Sequence, residues 1–236
     1  MNDTGKQQDA LEPRLVRPDD LDPRIDWNRP IQAPGHMGVD FETRVDFRRL
    51  HRYRLARARE ALKNSECGAL LLFDVNNIRY VSSTKIGEWE RDKFCRFALL
   101  AGDSEPIVWD FGSAAYHHKL YCDWLEIDNC RAGMLGMRGT VPPSAGLMKN
   151  HSEEIMDILR QMGVADLPVG VDLAETAMFF ELQNAGMKMV DGQQIMLNAR
   201  EIKNVDEITL LNQAAAMVDG VYHMVYEELK PGIREN

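Results

Sequence analysis

The chain has 236 residues, 44% of them hydrophobic and 28% charged, with a formal net charge of −9 and a pI near 5.2. That is the composition of an ordinary globular protein with material for one or two cores. The acidic balance argues against a nucleic-acid partner, which needs a basic footprint, and no apolar run approaches the roughly 20 residues that span a bilayer.

Residues 1–40 form a proline-spaced arm, with Pro13, Pro18, Pro23, Pro30 and Pro34 each forbidding helix continuation. The arm is either a spacer or lies along another surface; Leu15, Val16, Ile25, Trp27 and Ile31 favour the second. Its first residues, Met1 to Pro13, are polar and lack the apolar stretch of a secretory signal, so the expected location is the cytoplasm. Cys67, Cys95, Cys122 and Cys130 sit in or beside apolar stretches without a Cys-x-x-Cys pair, and are expected to be buried thiols.

From Phe41 to Asn64 the pattern is helical, with Phe41, Val45, Leu50, Tyr53, Ala58 and Leu62 broadly on one side and eight basic residues between Arg44 and Lys63. The basic run reads first as a solvated face. Gly68 to Phe73 is a short apolar run with the profile of a central strand covered on both faces. Phe94–Leu100 and Pro106–Phe111, joined by Gly102-Asp103-Ser104, predict a hairpin. Gly112 to Tyr121 can be helical, Trp124 to Ile127 extended, and Arg131 to Gly146 a long loop. Asn150 to Met162 is expected as a helix capped by Asn150 and Glu153, followed by a strand at Pro168–Asp172, a helix at Glu175–Asn184, a strand at Lys188–Val190 and a last helix opened by Asp191 and Gln194. The alternation predicts an α/β domain with one mixed sheet over residues 41–198.

Residues 199–236 are a hinge and a long helix. Asn204 is placed to cap the helix, with Glu207 reaching back to it, and Pro231-Gly232 to stop it. Leu210, Leu211, Ala214, Met217, Val218, Val221, Val225 and Leu229 form a stripe along about 38 Å of helix at 1.5 Å per residue, and that stripe needs a partner surface.

No catalytic set is visible. His117-His118 is the one close histidine pair, but neighbours on a helix point about 100° apart, so a partly exposed helix or interface role is preferred over metal binding. His36, His51, His151 and His223 fall in no ligand or triad spacing.

Two stretches carry a family resemblance. Arg200-x-Ile-Lys, Asp206-Glu-Ile, the Ala-rich helix and Leu229-x-Pro-Gly-Ile-x-Glu235 resemble the entry into the pita-bread catalytic domain of creatinases, prolidases and aminopeptidases P. Asn77-x-x-Tyr80-x-Ser82 resembles a corner in the N-terminal domain of the same metallopeptidase-like family. The arm, Gly87-Glu-Trp-Glu-Arg-Asp92 and the hinge look most like the dimethylsulfoniopropionate lyases within it. The resemblance implies a creatinase-like N-terminal α/β domain followed by the first long helix of a pita-bread domain. It implies metal-dependent elimination from dimethylsulfoniopropionate to dimethyl sulfide and acrylate, in a homodimer acting on a small molecule, with no nucleic-acid or membrane partner. The divalent metal, iron foremost with zinc or manganese as alternatives, and the catalytic base would be held beyond Asn236. Trp89, and less firmly Arg91 and Lys93, would enter the partner subunit's site, an aromatic face being a suitable seat for a sulfonium cation. A creatinase- or prolidase-type hydrolase and a non-catalytic dimerisation module are the alternatives.

Overall fold

A computed structural model describes residues 45–86, 96–134 and 142–234. Its centre is β1 (Ala69–Leu72), every residue of which is buried. β1 pairs antiparallel with β2 (Phe97–Ala101), which pairs antiparallel with β3 (Ile107–Asp110), the expected hairpin. On its other side β1 pairs parallel with β5 (Val169–Val171), and β5 with β6 (Met189–Asp191). With β4 (Cys130–Ala132) parallel to β3, the order is β4-β3-β2-β1-β5-β6.

Side-chain alternation along the strands builds two cores. Leu70, Leu72, Leu100 and Val108 pack under α1 (Phe47–Lys63), α2 (Val75–Ser82) and α6 (Gln193–Glu201) through Leu55, Ala58, Leu62, Ile78, Val81 and Met196. Leu71, Phe97, Leu99 and Trp109 face α4 (Leu147–Gln161) and α5 (Thr176–Asn184) through Ile155, Leu159, Met178 and Leu182. Helices on both faces explain why β1 reads as a continuous apolar run instead of an alternating one. Gly170 and Gly192 allow the start of α6 to sit against β5: a Cβ on Gly192 would lie 2.6 Å from the Gly170 carbonyl carbon.

α3 (Gly112–Tyr121) is where the sequence placed it. Two expectations are corrected. Trp124 to Ile127 is not extended: Leu125 N–H donates to the Cys122 carbonyl, Asn129 N–H to that of Glu126, and Trp124 Nε1 to that of Ser82, so the chain turns tightly before β4 begins at Cys130. Asn150 and Glu153 do not cap α4. The helix starts at Leu147 after Gly146 in the left-handed region (φ 77°), because Met148 is buried, and Asn150 N–H already donates to the Gly146 carbonyl.

The hinge cap is present in both directions: Glu207 N–H donates to Asn204 Oδ1 at 2.9 Å, and Asn204 N–H to Glu207 Oε2 at 3.2 Å. It opens α7 (Val205–Glu228), beyond which Pro231 and Gly232 (φ 92°) follow. The residues fall into two compact units, Gly38–Ala215 and a second whose described residues are 216–234. In the second, Met217, Val218, Val221 and Val225 are all at least half exposed.

Candidate functional site

The Asn77-x-x-Tyr80-x-Ser82 corner lies on α2, whose N-terminus is capped by Asp74 Oδ1 accepting from Asn76 and Asn77 N–H. All three motif side chains are buried. Asn77 Nδ2 donates to Asp172 Oδ2 and to Gln193 Oε1, both at 2.9 Å. Tyr80 donates its hydroxyl to the Ala199 carbonyl at 2.9 Å, and burial pushes that phenol's pKa up. Ser82 Oγ donates to the Ile78 carbonyl at 2.7 Å. The motif therefore fastens α2 to α6 and to the end of β5.

The two stretches that carry the family resemblance meet here. Arg200 Nη1 donates to Asn77 Oδ1 at 2.9 Å, joining positions 123 residues apart. Asp172 completes the junction by accepting from the N–H groups of Phe73, Asp74 and Leu173 as well as from Asn77. Burial pushes its carboxyl upward while these four bonds pull it back.

α1 holds the hinge from the other side. Arg49 grips Asp206 with two bonds, Nε to Oδ2 at 2.8 Å and Nη2 to Oδ1 at 2.7 Å, and Arg54 Nε donates to Glu207 Oε1 at 2.8 Å. The Arg49 bonds hold the Asp206 carboxyl below the usual aspartate range. A lowered folded value means the pairing stabilises above the unfolded pKa, about 3.9, and is lost as pH falls through the folded one. Asp206→Asn should therefore be less stable than wild type at neutral pH, with the gap closing only below about pH 4. Urea midpoints across that range check this, and a gap that ignores pH would contradict it.

Two clefts flank α2. One, of about 840 Å³, runs beside the hinge and is lined by Arg79, Gln194, Arg200 and Lys203 with Leu210 and Leu211. The other, of about 690 Å³, lies between α1 and Ser83–Lys85, with Trp124 in its wall. Trp89, Arg91 and Lys93 lie outside the described residues, as does Cys95. Among the described residues no three His, Cys, Asp or Glu side chains converge in a way that could hold a metal ion, so they offer no ligand set for the expected metal.

His118 corrects another expectation. His117 is exposed and packs on Tyr121, but His118 is buried, with Nε2 2.7 Å from Asp110 Oδ2. Arg96, also fully buried, stands with Nη1 3.4 Å from Asp110 Oδ1 and donates from Nη2 to the Thr84 carbonyl and hydroxyl. The interior of the β3–α3 turn thus holds an Arg–Asp–His cluster. The cue was available: an acid ends a strand and a histidine follows eight residues later on the next helix. Cys122 Sγ lies 3.7 Å from His118 Nδ1, which has the order of a nucleophile dyad, but burial pushes the thiol up to about 11, the opposite of an activated thiolate. Cys67 and Cys130 are buried free thiols, as expected.

The sequence profile described as Creatinase/Prolidase N-terminal domain matches residues 54–202. A dimethylsulfoniopropionate lyase, DddP, of Roseovarius nubinhibens is 23% identical over 179 residues, covering 72% of this chain and 38% of that protein. The DddP of Roseobacter denitrificans is 25% identical over 173 residues, with the same coverage of 72% and 38%. The chain thus spans well under half the length of these relatives. Among solved structures, an Xaa-Pro dipeptidase from Bacillus anthracis superposes with a TM-score of 0.56 at 14% identity, covering 77% of this chain and 44% of that one. A dipeptidase from Pyrococcus horikoshii gives 0.51 at 14% identity, covering 74% and 44%. At that identity the structures speak to the fold, a prolidase-like N-terminal α/β domain.

Proposed function

The chain belongs to the creatinase/prolidase N-terminal domain family, and from that premise we propose that it is the N-terminal, dimerising part of a dimethylsulfoniopropionate lyase. The observation that carries the reading is the match to two such lyases over 72% of the chain. The reaction is an elimination: a base removes the proton next to the substrate carboxylate, the carbon–sulfur bond breaks, and acrylate and dimethyl sulfide leave. A divalent metal, iron foremost, would hold the substrate carboxylate. Since the matched stretch is 38% of each relative, the reading assigns metal ligands and base to the part of such a protein that follows Asn236. The rivets at Asn77, Arg200, Asp206 and Glu207 then have a use: they set where α7 leaves the α/β domain.

The test is dimethyl sulfide release from dimethylsulfoniopropionate by the protein extended to the relatives' length. Hydrolysis of creatine or of an Xaa-Pro dipeptide instead would assign it to the hydrolases, and neither activity would leave a dimerisation module.

Trp89 belongs to the same reading, as the aromatic that packs on the substrate cation in the neighbouring subunit. Trp89→Ala should lower kcat/KM about two- to thirtyfold, the equivalent of about 0.5–2 kcal/mol, with metal content and thermal midpoint unchanged. Trp89→Phe should keep part of the activity. Unaltered kinetics, or a fully active monomer, would reject the role.

A further inference from the structure

We infer that the cleft between α1 and the Ser83–Lys85 segment binds a small organic anion, one that carries a carboxylate or phosphate group on an apolar body. The inference rests on the cleft alone and not on the lyase reading. Six of its lining residues are cations, and Glu105 is the sole acid among them. Three of the cations are already matched: Arg48 pairs with Asp123, Arg54 with Glu207 and Arg59 with Glu105. The other three, Arg52, Arg79 and Lys85, are exposed, and their side chains have no hydrogen-bond or ion-pair partner among the described residues. Three unmatched cations around one cavity, in a chain whose net charge is −9, mark a place where an anion lowers the local repulsion.

The floor supplies the rest of the specificity. Leu50, Leu55 and Trp124 are apolar, and His51 lies 6.0 Å from the Trp124 ring. Burial lowers the His51 pKa, so at neutral pH it presents an aromatic face and no charge. Its Nδ1 is 3.1 Å from the hydroxyl of Ser83, which among the described residues is the sole non-glycine with positive φ (52°). A left-handed serine is an uncommon conformation, held here at the point where the segment turns to present Lys85. A volume of about 690 Å³ lies in the range of small-molecule sites, and guanidinium groups beside an aromatic wall suit an anionic head on an apolar body.

The experiment titrates phenyl phosphate, benzoate and inorganic phosphate into the 236-residue chain at constant ionic strength, by calorimetry. Phenyl phosphate, benzoate or both should bind saturably and more tightly than inorganic phosphate; the tighter of the two identifies the head group. Arg52→Ala/Arg79→Ala should weaken binding by at least about tenfold while leaving circular dichroism unchanged, since both side chains are exposed. Trp124→Leu should erode the advantage over inorganic phosphate. Absence of saturable binding, equal affinity in the double variant, or binding restricted to a polyanion such as polyglutamate would each overturn the inference. Because the readout is binding and not turnover, its failure leaves the lyase reading untouched, and the reverse holds too.

Discussion

Asp110→Ala should destabilise the α/β domain by about 3–5 kcal/mol, the usual cost of removing one member of a buried ion pair. Asp110 and Arg96 are fully buried, and His118 is nearly so, with 3% of its side chain exposed. Without the carboxylate, buried Arg96 would lose the counter-charge 3.4 Å from its Nη1, and the His118 ring would lose the acceptor 2.7 Å from Nε2. Replacing the exposed Asp123, which pairs with Arg48 at the surface, should cost only about 0–1 kcal/mol. Urea denaturation of the two variants measures the contrast. Equal small losses would mean that Arg96 reaches other compensation when Asp110 is gone.

Asn77→Ala should cost about 2–4 kcal/mol, because one fully buried side chain serves as donor to Asp172 and Gln193 and as acceptor from Arg200, and hydrogen bonds to charged groups are worth about 1.5–3 kcal/mol each. Asn77→Asp is the sharper variant. It keeps the shape but sets an acceptor 2.9 Å from the Asp172 carboxylate, exchanging a hydrogen bond for repulsion. Both variants should also loosen α6, seen as faster amide exchange from Met196 to Arg200. Protection there equal to wild type would show that the junction is not what binds α6 to the sheet. Tyr80→Phe, which removes a single bond to the Ala199 carbonyl, should sit well below these at about 1 kcal/mol.

The fold was legible where a local rule decides it. β1 announces itself as an apolar run between Gly68 and Asp74, the hairpin by Gly102-Asp103-Ser104, and the α7 cap by Asn204 and Glu207, each being a contest settled within a few residues. The misreadings came where a distant partner decides. Asn150 and Glu153 have the right spacing for a cap, yet burial of Met148 starts the helix sooner. Trp124 reads as strand by propensity, but its indole N–H is claimed by the Ser82 carbonyl 42 residues earlier. The same limit governs the site. Asn77 and Arg200 were each visible as parts of a family pattern, while the bond between them depends on the packing of α6 over α2, which no spacing encodes. Arg52 read as part of an ordinary solvated face, and Arg79 carried no signal of its own, for the same reason: the cleft they share exists only after α1 and α2 pack.

Among the described residues the sheet ends at both edges in strands of only three residues, β4 and β6, one carrying Arg131 and the other closing on Asp191. Short, charged borders of this kind offer an incoming strand little main chain to template on. Self-association through continued pairing of sheets, the route to fibrils and swapped strands, is thereby discouraged.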